Sequence, residues 1–376
     1  MLLLYISIFL TLIYACLIIF YRINWFKIND FTIKHDGKVK ITVIIPARNE
    51  QMNIGQCLDS ICSQSYNREL FEVIIIDDFS TDGTAKIIES YKDRNVTCLS
   101  LEKLIGVNKI NSYKKKAIEL AIGNAKGDLI VTTDADCIVP RRWLETISSF
   151  YEQYSPAFIC APVAFHTTKK FLSIFQALDF MTLQGITGAA VNNKFHSMCN
   201  GANLAYEKKV FYDVGGFQGI DDLASGDDML LMNKIAAAYP DRIMYLKSKQ
   251  SIVHTNPMDT IGSFLNQRIR WASKSTIYSD KKIIAVLAVV YVFNVWLLIL
   301  AILSLFNPAL LILFITLLVS KTVIELFFLF PVAVFFDQVK QLWWFPMAQP
   351  FHIIYTIIAG WLGKFGSYKW KDRLVK

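Results

Sequence analysis

Three acidic clusters carry the side chains in this sequence best suited to chemistry. Asp134-Ala135-Asp136 follows the apolar run DLIVTT at 128–133. Side chains along a strand alternate faces, so both carboxylates emerge on one side with Ala135 opposite. Two hard oxygen ligands at that spacing suit Mg2+ or Mn2+ that already carries phosphate oxygens. A solvated acidic turn has the same spelling, and it is the preceding buried run that favours a cation. Asp77-Asp78 closes a second apolar run, EVIII at 72–76, and the Phe-Ser-Thr-Asp-Gly-Thr that follows supplies turn and cap residues, so helix capping alone also explains it. Gly226-Asp227-Asp228 precedes the helix-like run Met229 to Ile235. Either Asp could merely stabilise a helix N-terminus, and the missing side chain of Gly226 leaves room beside Asp228 for a second molecule. A fourth feature, Gln267-Arg268-Ile269-Arg270-Trp271, sets Gln267 and Arg270 on one helical face beside an indole. Alone, it also reads as an aromatic and cation at a membrane surface.

These groups need a frame. Runs of β-branched residues at 41–45, 72–76 and 128–133 alternate with helical stretches, which implies an α/β domain with a mostly parallel, helix-covered sheet. In such sheets the ligand crevice lies beyond the carboxyl ends of the strands, where this sequence places Pro46 to Glu50, Asp77-Asp78 and Asp134 to Asp136.

The flanks differ. The chain has 376 residues, 54% of them hydrophobic and only 19% charged, too apolar for a soluble protein of this size, and the excess lies in residues 2–21 and 282–363. Residues 2–21 are long enough to cross a hydrocarbon core of about 30 Å. They lack the basic start and small-residue end of a cleaved signal. Arg22 and Lys27 follow, so the positive-inside bias puts the middle domain in the cytoplasm, at the plasma (inner) membrane. Of the C-terminal stretches 283–304, 308–330 and 344–362, the third is interrupted by Pro346, Gln349, Pro350 and His352. It is expected to lie in the interface or fold back, which keeps the basic tail Lys364, Lys369, Lys371, Arg373 and Lys376 cytoplasmic. Lys321 and Glu325, one turn apart in the second stretch, are placed to pair. The expected organisation is a membrane helix at 1–21, a linker at 22–39, a catalytic domain at 40–272, a membrane region with two to three helices at 282–363 and a tail at 364–376. Within the domain, Phe171, Phe175, Leu178 and Met181 form a helical stripe with Gln176 and Asp179 off it, fitting either a helix on the membrane surface or one packed in a core.

The formal charge of +8 comes from basic residues gathered beside the apolar segments, without an RNA-binding aromatic signature or zinc-finger spacing, so no nucleic-acid partner is expected. Seven cysteines form no CxxC pair and are read as free thiols of a reducing compartment. His166, His196 and His254 lack metal-ligand spacing and are read as structural.

Taken together, TVIIPARNE, IIIDDFSTDGT, TTDADC, SGDDML and QRIRW, in this order across residues 40 to 272, resemble the motifs of membrane-bound family 2 glycosyltransferases with the GT-A fold. The resemblance is nearer to lipid-acceptor members, such as ceramide glucosyltransferases, than to long-chain polysaccharide synthases, although Q-x-x-R-W also permits a processive synthase. It implies that Pro46, Arg48 and Glu50 line the nucleotide site and that Asp78 accepts a hydrogen bond from uracil. It further implies that Asp134 reaches the nucleotide, Asp136 the metal, and Lys114 the phosphates. Here Tyr113 stands where the family has glycine before that lysine. Asp228 would be the base, and Gln267, Arg270 and Trp271 would hold the diphosphate and the acceptor entrance. Asp227 stands where the family often has Glu, leaving open which carboxylate of the pair faces the acceptor. The expected partners are a nucleotide-sugar, a UDP-sugar by resemblance, and a membrane lipid. The reaction follows from charge: the departing diphosphate must be neutralised, by a divalent cation and an Arg, while one carboxylate takes the acceptor proton. Direct displacement inverts the anomeric carbon.

Overall fold

The computed structural model describes residues 1–35, 37–105, 112–195, 198–223, 226–274, 281–365, 368–370 and 373–375. They form two compact units: residues 28–165 with 190–256, and residues 1–27 with 166–189 and 257–376.

The first unit is built on strands β1 (Ile41–Ala47), β2 (Phe71–Asp77), β3 (Val96–Ser100), β4 (Leu129–Thr132), β5 (Phe158–Cys160), β6 (Val163–Phe165), β7 (Leu204–Glu207), β8 (Ile243–Tyr245) and β9 (Val253–Thr255). Seven make one sheet in the order β3-β2-β1-β4-β7-β5-β8, and β6 pairs with β9 separately. Strands β3, β2, β1 and β4 are parallel, β7 runs antiparallel to both β4 and β5, and β5 is parallel to β8. The expected α/β architecture with a mostly parallel sheet is therefore present. Its cause is visible in the inner strands, where Val43, Ile44, Ile45, Val73, Ile75, Ile130 and Val131 have no exposed surface, as a sheet covered on both faces requires. The order reverses at β1, which has β2 on one side and β4 on the other, and such a switch point opens a crevice at the carboxyl ends.

The second unit is helical. Three of its helices, Leu2–Phe26, Lys281–Ser304 and Ala309–Phe335, are long and apolar enough to cross a membrane. Aromatic pairs join the first to the others: Tyr14 to Phe293 at 4.6 Å between ring centres and Trp25 to Phe335 at 5.5 Å. The expected Lys321–Glu325 pair forms at 2.7 Å, and both residues are buried. Gln349 joins them, its Oε1 accepting from Lys321 at 2.6 Å and its Nε2 donating to Glu325 at 2.6 Å, and the Tyr14 hydroxyl donates to the same Glu325. Both carboxylate oxygens of Glu325 and two of the three Lys321 N–H donors thus meet partners within the bundle, which lowers the cost of burying the charge pair.

One expectation changes, and one open alternative is decided. Residues 345–365 form one continuous helix, not a short run broken by prolines. Pro346 sits in the first turn, where no N–H is required, and Pro350 lies only one turn further in. The stripe at 171–181 packs into the core of the helical unit, not a membrane surface. Phe175 stacks edge-on against Phe264 at 5.6 Å and Tyr355 at 5.8 Å, and Gln176, read as off the stripe, has no exposed surface because it trades two hydrogen bonds of 2.9 Å with the Met258 backbone.

Candidate active site

Strand β1 delivers Pro46 and then Arg48 to Glu50 into the crevice. The Arg48 guanidinium donates to the Asp78 carbonyl at 2.8 Å and the Phe79 carbonyl at 3.2 Å, tying the loop after β1 to the loop after β2. The Asp78 N–H donates to the Ala47 carbonyl at 2.8 Å, and the Asp78 side chain is buried. Asp77 receives the Ser80 N–H at 3.3 Å, the local turn bonding expected of it. Glu50 is fixed at both ends: its N–H donates to Thr84 Oγ1 at 2.8 Å and its Oε2 accepts from Asn53 at 2.9 Å. Asn49 and Phe79 both adopt left-handed backbone, with φ of 51° and 56°, so the two loops are held in conformations that extended strand would not give.

Strand β4 ends at Thr132, earlier than the sequence suggests, and Asp134 to Asp136 form a turn closed by the Cys137 N–H to the Asp134 carbonyl at 3.1 Å. The two carboxylates still share the accessible side while Ala135 and Cys137 are buried, so the alternation survives in a turn. Behind them, the thiol of Cys57 donates to the Asp134 carbonyl and that of Cys137 to Asp136 Oδ1, each at 3.7 Å. Burial, reinforced by Asp136 and Asp134, pushes both thiols well above their ordinary pKa. They are inert packing under the carboxylates. All seven cysteines are free, as expected.

Lys114 gathers the clusters. It lies on the helix Tyr113–Asn124, and its ammonium reaches Asp134 Oδ1 at 2.9 Å and Asp227 Oδ2 at 3.1 Å. Burial pulls its pKa down, but the charges of Asp134 and Asp227, with Asp228 further off, outweigh that and raise it, so the ammonium stays charged. Tyr113, in the glycine position of the family pattern, packs its ring edge-on against Phe79 at 5.8 Å and so links this helix to the loop after β2.

Asp228 caps the helix Met229–Ala238: Oδ1 accepts the Met229 N–H at 2.7 Å and Oδ2 the Gly201 N–H at 3.3 Å. A Cβ on Gly201 would lie 3.4 Å from both Asp227 Oδ2 and Lys114 Nζ, which places that backbone against the whole group. Glycine at 226 is required on backbone grounds as well. Its φ is +86°, and a Cβ there would meet the Leu230 side chain at 2.8 Å, so glycine is required by the turn and by packing.

Gln267, Arg270 and Trp271 belong to the helical unit, on the helix Ile261–Ser273. A capping box starts it, with Thr260 Oγ1 accepting the Ser263 N–H at 3.1 Å and Ser263 Oγ accepting the Thr260 N–H at 3.2 Å. Gln267 and Arg270 are one turn apart on it, as the spacing predicts. Sequence reasoning missed Gly201, for which Asn-Gly-Ala-Asn at 200–203 was the available signal, and it missed Arg268. His196 lies outside the described residues.

As a divalent-metal site, the geometry offers the paired carboxylates of Asp134 and Asp136, with no group of three or more His, Cys, Asp or Glu able to hold a metal among the described residues. That donor set fits a Mg2+ or Mn2+ ion whose remaining ligands are phosphate oxygens and water, and does not fit an ion caged by protein alone.

A Rossmann-like, mostly parallel sheet with acidic residues beyond its carboxyl ends defines a GT-A fold. A mannosyltransferase from Pyrobaculum calidifontis, solved in complex with GDP-Man and Mn2+, shares it with a TM-score of 0.57 at 20% identity, over 94% of this chain and 96% of that one. The chain belongs to glycosyl transferase family group 2, whose model matches residues 129–362; the model of glycosyl transferase family 2 matches residues 42–215. Among curated relatives, the glycosyltransferase AglE of Haloferax volcanii is 33% identical over 28% of this chain and 33% of its own length. The poly(ribitol-phosphate) beta-glucosyltransferase of Bacillus spizizenii is 32% identical over 26% of this chain and 15% of its own. The 4,4'-diaponeurosporenoate glycosyltransferase of Staphylococcus aureus is 28% identical over 56% of this chain and 54% of its own. The chain thus spans about half or less of the length of these relatives.

Proposed function

We propose that the chain is an inverting glycosyltransferase that moves a sugar from a nucleotide-sugar, a UDP-sugar by motif resemblance, to a membrane lipid. The observation that carries this is the ammonium of Lys114 shared between Asp134 and Asp227, with Asp228 adjoining, at the switch point of the sheet in a chain that also holds three membrane-length helices. The reading draws support from the Staphylococcus aureus relative, whose match extends furthest along this chain of the three, and from the GDP-Man and Mn2+ of the Pyrobaculum calidifontis enzyme.

Asp134 and Asp136 would hold the divalent ion, which when bound supplies positive charge against the diphosphate. Lys114 adds a fixed charge beside them. Asp78, buried after β2, holds the base, and Arg48 braces the two loops around the nucleotide. The acceptor oxygen attacks the anomeric carbon as the bond to the diphosphate oxygen breaks, and the bonding pair leaves on the diphosphate. Asp228 takes the hydroxyl proton. Its hydrogen bonds to the Met229 and Gly201 N–H groups orient it, whereas the Asp227 carboxylate is engaged by Lys114 at 3.1 Å. Gln267, Arg270 and Trp271 are assigned the diphosphate and the acceptor entrance on the resemblance. The catalytic residues face the cytoplasm on the positive-inside argument.

The test is to incubate membranes holding the protein with a panel of UDP- and GDP-sugars and identify the labelled product by mass spectrometry. One sugar on a lipid supports the proposal, a polymer shifts it to a processive synthase, and nucleotide binding without transfer ends it.

A further inference from the structure

In Q-x-x-R-W only the first, fourth and fifth positions are specified, yet here the second is the most deeply buried of the five. Arg268 is 4% exposed, while Gln267, Ile269, Arg270 and Trp271 are half-buried. Within the helical unit its guanidinium makes one ion pair without hydrogen-bond alignment, one hydrogen bond and two ring contacts, one of them over Phe264 at 4.8 Å. Nη2 lies 2.6 Å from Asp179 Oδ2, on the helix Phe171–Asn192. Nη1 donates to Gln267 Oε1 at 3.0 Å, and the guanidinium carbon stands 4.3 Å from the ring centre of Trp271. The other oxygen of Asp179 accepts from the Tyr355 hydroxyl, and Phe180, next along, meets Trp271 at 6.0 Å.

A buried ion pair is a poor way to gain stability, since well-packed apolar residues often do as well, so its value lies in fixing one arrangement. Here the arrangement fixed is that of two motif side chains. Arg268 sets the Gln267 amide by a directed bond, which leaves its NH2 group pointing away from the guanidinium, and it clamps the indole by a cation–π contact. We infer that Arg268 is a positioning residue for the transfer reaction, with Asp179 as its counter-charge: it presents Gln267 and Trp271 and touches no substrate. The inference rests on the reading that Q-x-x-R-W serves sugar transfer.

The perturbation is Arg268→Lys, which keeps the charge beside Asp179 and loses the planar fork that reaches Gln267 and stacks on Trp271. With the reconstituted full chain, kcat should fall about 10- to 100-fold, with the donor KM changed far less, as for a misplaced group. A double-mutant cycle separates positioning from general support. In a Gln267→Ala, Trp271→Phe background, Arg268→Lys should cost no more than about twofold, because the groups it positions are gone. Should Arg268→Lys fail to fold, Asp179→Asn, which keeps the acceptor for Tyr355 and loses the charge, is run through the same cycle with the same expectation. Full transfer by the Arg268 variant, or losses that multiply in the cycle, would overturn the inference while leaving the glycosyltransferase reading intact. Wild-type rates for both Gln267→Ala and Trp271→Phe would remove the motif from the reaction and overturn both.

Discussion

Lys114→Met removes the charge that holds the acidic clusters together while keeping most of the side-chain volume. Two charge-assisted contacts, 2.9 Å to Asp134 and 3.1 Å to Asp227, are lost. A buried hydrogen bond to a charged group contributes about 1.5–3 kcal/mol. Only the Asp134 contact is a hydrogen bond, and at 37% exposure it is screened toward the surface value of under about 1 kcal/mol. Asp227, an ion pair with its side chain 12% exposed, would be left nearly buried without its counter-charge, a loss of about 2 kcal/mol. Together the loss should be about 3 kcal/mol, part of it the repulsion of carboxylates left facing one another. Lys116→Met is the control, since its partner Glu119 is 42% exposed and the pair lies on the solvent side of the same helix. That pair should be worth under about 0.5 kcal/mol. Urea unfolding of the detergent-held protein without divalent ions compares them. The sign with pH follows from a pKa raised above the unfolded value: the contribution is fully present below about 10.4 and fades only as pH rises through the folded value. The difference from wild type should therefore be flat between pH 6 and 9. Equal losses for the two variants, or a difference that disappears within that range, would refute the bridging role.

Asp136→Asn should abolish transfer in a folded protein, and transfer undiminished by EDTA would remove the metal from the mechanism. Asp228→Asn should lower kcat by about 10²- to 10⁴-fold while donor binding by calorimetry is kept, whereas Asp227→Asn should retain some transfer; the reverse pattern would move the base to Asp227. Lys321→Met should destabilise by about 3–5 kcal/mol by stranding Glu325, and adding Glu325→Gln should recover much of it, which paired thermal unfolding in detergent can measure.

What the sequence made legible was local. The β-branched runs, the paired carboxylates on one accessible side, the helix bearing Gln267 and Arg270, and the Lys321–Glu325 turn all depend on residues a few positions apart. The antiparallel insertion of β7 between β4 and β5 does not, because its pairing joins residues far apart in the chain that share no pattern. Lys114 is expected near phosphate, but its link to both Asp134 and Asp227 depends on three separate elements meeting. Arg268 was hidden for the same reason: its counter-charge, Asp179, lies on another helix and was read as the polar side of a stripe. The helix 345–365 was obscured by counting prolines without asking which turn they occupy.

Inverting transfer to a membrane lipid can be followed with the purified full chain in liposomes containing membrane lipids, supplied with the donor found in the panel and Mn2+. Nucleoside diphosphate and organic-soluble sugar should form in equal amounts, with NMR showing an inverted anomeric configuration in the product. Diphosphate release with the sugar left in water, or a product that retains the configuration, would contradict inverting transfer to a lipid.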